Sequence, residues 1–332
     1  MKLKKLLTFS LIILILVISA CSNDSSGDED NVDPNNMLIG TSSQGGTYYV
    51  WGGGWSDIMG DNVSDVNIGV EVTGGPTDNM KLIQNGEMEL GFVTSWLGGE
   101  GYNGEGWADK EYDKMRSLFV MYPSVMHMYS LKENGIKNIQ DFEGEHITTG
   151  SPGSTSEIAG EDLMNILDIE PKEISKVPTD TSVDNLRDGQ VDAGFAVTGV
   201  PGPFMLDLET TKEVQHISLT DEEIDKILGE QPYWDSIDVP EGTYKHQDDD
   251  LQLVSFWNLA IATKDLSEDL AYELTKQTFE NQEQLINVDP TAEDTEPDLI
   301  ENTTIPIHPG ALKYYKEEGI EVPDELIPPE SK

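Results

Sequence analysis

Ile39-Gly40-Thr41-Ser42-Ser43-Gln44-Gly45-Gly46-Thr47-Tyr48-Tyr49 joins a short apolar lead, a loop of glycine and hydroxyl residues, and the start of a segment that can be helical. The pattern returns 108 residues later in Ile147-Thr148-Thr149-Gly150-Ser151-Pro152-Gly153-Ser154-Thr155. A second pair of similar segments, Asp78 to Phe92 and Asp184 to Phe195, is offset by 106 residues. The repetition predicts two similar α/β lobes, and a cleft between two lobes is a common place for a small-molecule site.

Two long apolar runs are candidates for strands that cross from one lobe to the other. They are Ser117 to Leu131, which is interrupted by Pro123, and Leu253 to Thr263. Strand-like segments alternate with helical ones on both sides of these runs, which predicts an α/β fold with mainly parallel sheets and two crossing strands. The resulting boundaries are residues 37–129 plus 253–332 for lobe 1 and residues 130–252 for lobe 2.

Local patterns predict several individual elements. Apolar residues spaced three to four apart indicate a helix over Thr47 to Met59 and another over Leu266 to Ile286. The stretch Gly98 to Gly106 contains a GxGxxG pattern, but no helical segment follows it, and we interpret it as a flexible loop.

The two Gly/Ser/Thr loops have the chemistry of an anion site. In parallel sheets such loops lie at the carboxyl ends of strands and at helix starts, where free N–H groups and the helix dipole attract negative charge. Glycine lets the backbone approach a ligand and hydroxyls add donors, so carboxylate or phosphate can be held without a full positive charge. The alternative is that such loops simply make tight strand–helix turns. The chain has only two arginines, Arg116 and Arg187, and we expect both to form surface ion pairs.

The first residues of the chain have the pattern of an export signal. A basic start, Met1 to Lys5, precedes an apolar stretch from Leu6 to Ile18 and then Ser19-Ala20-Cys21. This pattern predicts a lipoprotein signal peptide over residues 1–20 and lipidation of Cys21; the alternative is a plain transmembrane anchor. The polar, acidic residues 21–36 are predicted to form a disordered tether.

The formal net charge is −43, from 63 acidic and 20 basic residues. Such a charge repels phosphate backbones, which argues against a nucleic-acid partner. It predicts a strongly hydrated acidic surface of the kind found where salt screens repulsion, as in a saline or alkaline habitat. An ordinary acidic exported protein is the alternative.

An ordered set of short motifs resembles the TAXI family of solute receptors, which serve TRAP transporters. The motifs are Ile39 to Tyr49, Asp78-Asn79 with Asn85-Gly86-Glu87, Gly150 to Ser154, Val183 to Asn185 with Asp188-Gly189, and His308-Pro309-Gly310-Ala311. The resemblance covers residues 37 to about 320 and implies a type II periplasmic-binding-protein fold. It also implies an extracytoplasmic, lipid-anchored receptor that delivers a small organic anion, such as a dicarboxylate, a 2-oxoacid or an acidic amino acid, to a TRAP-type permease.

The resemblance, carried over by position, implies a ligand shell from both lobes and no cofactor or metal. This chain has Trp96 where the family often has a small polar or acidic residue, which favours a ligand with an apolar portion. The expected ligand-binding residues are Thr41, Ser42, Ser43, Gly46, Thr47, Tyr48, Thr94, Ser95 and Trp96 from lobe 1, and Ser151, Gly153, Ser154, Thr155, Thr198, Gly199, Val200 and Pro201 from lobe 2. Aromatic residues that could add cleft walls are Tyr49, Tyr102, Trp107, Tyr122, Phe195 and Trp257.

Two other classes of protein remain as alternatives. An enzyme acting on small carboxylates is disfavoured because the chain has no Gly-x-Ser-x-Gly elbow, Walker loop or His-Glu-x-x-His, and its five histidines are scattered. We therefore predict that the protein is not an enzyme. A receptor that signals to a sensor kinase would have the same cleft as a transport receptor.

Overall fold

The structure, a computed structural model, describes residues 32–332 of the chain. The predicted signal peptide over residues 1–20, the predicted lipidation site Cys21 and residues 22–31 of the predicted tether lie outside the described residues. Among residues 32–332, none of the helices has both the length and the apolar character that crossing a bilayer requires.

The last residues of the predicted tether belong to the folded part. Pro34–Asn36 form one turn of 3-10 helix, and Val32 packs against the hydrophobic core. The Pro34 carbonyl accepts a hydrogen bond from the Asn67 N–H at 2.9 Å. The boundary at residue 36 is therefore corrected: the composition of the acidic stretch hid the apolar contact that Val32 makes.

Residues 32–332 contain ten strands and ten α-helices. The strands are β1 Met37–Gly40, β2 Ile68–Glu71, β3 Leu90–Thr94, β4 Met115–Leu131, β5 His146–Thr148, β6 Glu173–Ser175, β7 Ala193–Thr198, β8 Val214–Ile217, β9 Asp235–Val239 and β10 Leu251–Thr263. The helices are α1 Thr47–Asn62, α2 Pro76–Asn85, α3 Ser95–Asn103, α4 Thr155–Ile166, α5 Thr179–Arg187, α6 Pro203–Leu208, α7 Asp221–Glu230, α8 Glu268–Glu280, α9 Gln282–Val288 and α10 Pro309–Glu317.

The strands are hydrogen-bonded in the order β2-β1-β3-β10-β4-β7-β5-β6, with β8 beside β4 and β9 beside β10. Two parallel groups, β2-β1-β3 and β7-β5-β6, stand at opposite ends of this order. The long strands β4 and β10 run antiparallel to each other between the groups. This topology confirms the predicted α/β, two-lobed fold with mainly parallel sheets and two crossing strands.

Each lobe has its own hydrophobic core, and β4 and β10 contribute to both. The core of lobe 1 takes β4 residues as far as Tyr122 and β10 residues from Leu259. The core of lobe 2 takes β4 residues from Val125 and β10 residues up to Phe256. The two strands therefore pass from one core to the other near residues 123–124 and 257–258. These positions are several residues from the predicted boundaries of 129 and 253. Both strands are buried along nearly their whole length, so hydrophobicity alone cannot mark the exchange.

The sheet is irregular where β4 and β10 pass from one core to the other. Trp257 pairs with Pro123, and the register shifts between Trp257 and Leu259. Proline lacks the N–H that would continue the ladder, so regular pairing is weakened at this position. We call Tyr122–Ser124 with Trp257–Asn258 the crossing point.

Two local predictions are corrected by the structure. The glycine-rich stretch Gly98 to Gly106 is largely helix α3, because its glycines allow close packing: a Cβ at Gly101 would meet the Met80 side chain. The predicted helix over Leu266 to Ile286 divides into α8 and α9 at Asn281, whose backbone φ of −114° leaves the helical region.

Candidate ligand-binding site

A cavity lies between the lobes, where β1, β3, β5 and β7 end and α1 and α4 begin. Its free volume is about 40 Å³. The lining residues are Ser42, Ser43, Gly46, Thr47, Tyr48, Gly74, Pro76, Thr94, Tyr122, Ser124, Ser151, Ser154, Thr155, Ser156, Thr179, Val197 and Thr198.

Residues from both predicted loops line this cavity. The structure thus brings together the two repeated Gly/Ser/Thr motifs, which are more than one hundred residues apart in the sequence. The predicted ligand-binding residues found in the lining are Ser42, Ser43, Gly46, Thr47, Tyr48, Thr94, Ser151, Ser154, Thr155 and Thr198.

Trp96 does not line the cavity. Its ring packs against Trp234 and Phe256, with centroid separations of 5.2 and 5.9 Å, and its indole N–H donates to Glu100 at 2.8 Å. With 2 % of its surface exposed, Trp96 belongs to the hydrophobic core of lobe 2. The inference of a large apolar cleft wall from Trp96 is corrected, because the helix that begins at Ser95 turns the indole away from the cavity.

The other predicted residues lie outside the lining and form hydrogen bonds or a turn next to it. The Thr41 hydroxyl donates to the Glu71 carbonyl at 2.7 Å, and the Gly153 carbonyl accepts from the Thr77 hydroxyl at 3.0 Å. The Ser95 carbonyl accepts from the Thr304 hydroxyl. The remaining residues form the turn Gly199, Val200 and Pro201, which follows β7 and contains a cis bond before Pro201.

Two lining residues form part of the crossing point: Tyr122, which the sequence predicted as an aromatic cleft wall, and Ser124, which sequence reasoning missed. Tyr122 and Ser124 flank Pro123 in β4, and Ser124 is a polar interruption in an apolar run, which was the available signal. Their partner Asn258 is fully buried and donates its amide N–H to the Tyr122 carbonyl at 2.7 Å and to Ser124 Oγ at 2.8 Å. The other missed lining residues are Gly74, Pro76, Ser156, Thr179 and Val197.

Three serine hydroxyls in the lining are oriented by N–H groups of the protein. Ser124 Oγ accepts from Asn258 Nδ2 at 2.8 Å, Ser154 Oγ accepts from the Glu157 N–H at 3.2 Å, and Ser156 Oγ accepts from the Val197 N–H at 2.8 Å. A hydroxyl has one proton and two acceptor positions. Because each of these oxygens already accepts a bond, each hydroxyl retains its proton to donate towards a ligand.

Two hydroxyls in the lining are almost completely buried and have no hydrogen-bond partner within residues 32–332. They are Thr94 Oγ1 and the Tyr122 phenol. Burial raises the pKa of the Tyr122 phenol well above its ordinary value, outweighing the Ser124 and Thr47 hydroxyls nearby that lower it. Tyr122 therefore stays protonated and can donate. Buried groups without partners are costly, and a ligand with acceptor atoms would satisfy both.

The starts of α1 and α4 supply the remaining positive potential at the cavity. Helix α1 has 16 residues, and its N-cap Gly46 provides no side-chain cap for the free N–H groups. Helix α4 has 12 residues and is capped by Ser154. Aligned peptide dipoles give such ends a partial positive charge.

No charged side chain lines the cavity. Both arginines form ion pairs outside the cavity, as predicted, but Arg116 is buried and not at the surface: its guanidinium donates to both Glu330 carboxylate oxygens at 2.7 and 2.9 Å, and Arg187 contacts Asp184 and Asp207 at 2.8 Å each. Within residues 32–332, no three or more His, Cys, Asp or Glu side chains are grouped so as to hold a metal ion.

Direct hydrogen bonds join the two lobes around the cavity. Ser43 Oγ donates to Thr179 Oγ1 at 3.1 Å, and the Thr77 hydroxyl reaches lobe 2 at Gly153. Thr47 Oγ1 lies 2.7 Å from Thr198 Oγ1 and accepts from the Gly199 N–H at 3.1 Å. These contacts hold the lobes in a closed arrangement, and the free space in the cavity is narrow for that reason.

The fold is that of periplasmic binding proteins. MatC from Rhodopseudomonas palustris, solved with bound malate, is 12% identical, with a TM-score of 0.57 over 88% of this chain and 98% of that one. The periplasmic binding protein BugD is 15% identical, with a TM-score of 0.52 over 89% and 99%. PhnD1 from Prochlorococcus marinus, in complex with methylphosphonate, is 11% identical, with a TM-score of 0.53 over 86% and 99%.

The sequence also matches a described family over most of its length. Residues 39–319 match the NMT1-like family, and the chain belongs to that family. The match begins at the first repeated motif and ends just after α10, so it spans both lobes and the crossing strands.

Proposed function

We propose that this protein is an extracytoplasmic solute receptor that captures a small organic anion in the cavity between its lobes and delivers it to a TRAP-type membrane permease. The observation that carries the proposal is the donor character of the cavity. Hydroxyl protons from Ser124, Ser154 and Ser156 are free to donate, the hydroxyls of Thr94 and Tyr122 lack partners, and the uncapped start of α1 opens onto the same space.

An anion suits this cavity better than a neutral or cationic solute. Carboxylate oxygens accept hydrogen bonds without needing to donate any, so they can satisfy a lining that offers mainly protons. Bonds to charged acceptors are about twice as strong as those between neutral groups. A cationic ligand would meet the positive helix ends and would find no lining carboxylate.

Binding by dipoles and hydroxyls also suits delivery. Without a lysine or arginine in the lining, opening of the lobes weakens many modest contacts together and does not have to break an ion pair. Anchoring through lipid on Cys21 would hold the receptor at the membrane surface, near a permease. Two proteins of the same fold, MatC and PhnD1, were solved with the organic anions malate and methylphosphonate.

A thermal-shift comparison of acids with their amides tests the proposal. The full chain would be titrated with lactate, pyruvate, propionate and succinate, and in parallel with the corresponding neutral amides. A ligand that binds only the folded state raises the melting temperature, by an amount equivalent to about 2.7 kcal/mol at one hundred times its Kd. We expect stabilisation by at least one acid and not by its amide. Stabilisation by amides alone would contradict an anion site.

A further inference from the structure

We infer that the ligand carries a single negative charge and is a small monocarboxylate, as opposed to a dicarboxylate or an acidic amino acid. The inference rests on the proposed function and narrows the ligand class of the same cavity. Two independent features support it: the absence of a counter-charge and the size of the space.

A second carboxylate would find no counter-charge in the cavity. Lys176, which reaches Glu157 in the first turn of α4, is engaged by Glu157 and Glu161 at 2.7 and 2.6 Å. Glu157 also accepts the Gly153 N–H at 2.8 Å, so the start of α4 already faces one carboxylate. Moving an unpaired charge out of water is costly, and helix ends with hydroxyls offset that cost for one charge more readily than for two.

The charge of the whole chain opposes a dianion as well. With a formal net charge of −43, the background potential is negative, and its effect is felt within a screening length of about 8 Å at physiological ionic strength. A monoanion experiences this repulsion once and a dianion twice, while the local donors are the same for both.

The free space is on the scale of a very small ligand. The free volume of the cavity is about 40 Å³, which corresponds to roughly three or four water positions. A monocarboxylate needs less room than the diacid that carries a second carboxyl group. The interlobe bonds at Ser43 and Thr47 would have to break to enlarge the cavity for a longer diacid.

Matched pairs of acids test the inference. Calorimetry on the full chain would compare propionate with succinate, lactate with malate, and pyruvate with oxaloacetate, since each pair differs by the second carboxyl group. We expect the best monocarboxylate to bind at least about tenfold more tightly than its diacid. Tighter binding of a diacid would overturn the inference and leave the anion proposal intact. Binding of neither member of any pair would also overturn the inference.

Two tyrosines on the same strand provide a matched pair of variants. Tyr122 and Tyr129 are both buried in β4 with hydroxyls that lack partners, but only Tyr122 lines the cavity. Tyr122→Phe should weaken monocarboxylate binding about tenfold or more, the usual effect of losing a donor to a charged acceptor, whereas Tyr129→Phe should leave affinity unchanged. Equal affinities in the two variants, with melting confirming that both fold, would contradict a ligand held by the Tyr122 hydroxyl in this narrow cavity and would overturn the inference.

Discussion

Ser154 performs two tasks with one hydroxyl group. Its oxygen accepts from the Glu157 N–H and so caps helix α4, while its proton faces the cavity. A serine cap is worth about 1 kcal/mol relative to alanine. Stability and binding are therefore linked at this residue, and a simple truncation would change both.

Aspartate at this position separates the two tasks. Ser154→Asp keeps an N-cap acceptor, so we expect the free energy of unfolding to stay within about 0.5 kcal/mol of the original. The added negative charge inside the cavity should reduce anion affinity by more than about tenfold. Ser154→Ala should instead lower the free energy of unfolding by about 1 kcal/mol. Urea unfolding and calorimetry would measure the two effects.

Thr220 provides the control for the Ser154→Asp substitution. It caps α7 in the same lobe, where its hydroxyl accepts from the Glu223 N–H at 3.3 Å, and it does not line the cavity between the lobes. Thr220→Asp adds the same charge at a helix start without entering the site, so affinity should not change. A similar loss in both variants would mean that Ser154→Asp acts through net charge and not through the site.

At the scale of elements, the turn after β7 is hydrogen-bonded to a buried cluster of polar side chains. The Gly202 N–H donates to the Tyr244 hydroxyl at 2.8 Å, and that hydroxyl lies 3.3 Å from His127 Nε2. Tyr244 stacks on His216, whose Nε2 lies 3.0 Å from the buried Glu209 carboxylate. The group fixes the turn whose Gly199 N–H reaches Thr47, and so links the core of lobe 2 to the closed arrangement.

This arrangement predicts a pH dependence of stability that is due to His127. Burial, together with the nearby His216, lowers the pKa of His127 to about 3, against about 6.5 for an unperturbed histidine. Between these values the unfolded chain binds a proton that the folded chain does not, so the contribution of His127 to stability falls as pH is lowered from 6.5 towards 3. The expected slope is about 1.4 kcal/mol per pH unit.

A variant without the imidazole isolates that slope. His127→Asn should show a free energy of unfolding that falls less steeply with acidification over this window, by about 1.4 kcal/mol per pH unit. His308, whose pKa burial lowers to about 4, contributes in the same direction in both proteins and cancels in the comparison. Parallel stability curves for the two proteins would contradict the prediction.

At the scale of the whole molecule, closure of the lobes is the motion that the structure favours. Only two strands cross between the lobes, and they meet at a place where Pro123 and a register shift weaken the ladder. Direct contacts such as that of Ser43 with Thr179 hold the closed arrangement. Hinge closure about a few residues is a common response to ligand binding in two-lobed proteins.

Small-angle scattering would measure this motion. We expect the free protein to include open molecules, because each interlobe hydrogen bond contributes only about 0.5–1.5 kcal/mol. Addition of a binding acid at saturation should reduce the radius of gyration. An identical scattering profile with and without ligand would contradict closure as the binding step.

The sequence predicted what depends on local pattern. The repeated loops and the alternation of strands with helices follow from residue periodicity, so the fold class and much of the cavity lining could be inferred in advance. Trp96 was placed wrongly because the direction of its side chain depends on helix α3, and the glycines of that helix indicated a loop. Ser124 was missed because a long buried strand carries little periodic signal that separates cavity from core.

What the sequence by itself determined is the two-lobed fold and the character of the site, since loops of glycine, serine and threonine at strand ends present backbone groups and hydroxyls but no charged side chain. The tertiary structure alone decided which of these groups face one another and which way their protons point. Those directions depend on partners far along the chain, such as Asn258 for Ser124 and Val197 for Ser156. Hydrogen bonds between distant residues form only once the fold has brought them together, so no local pattern encodes them.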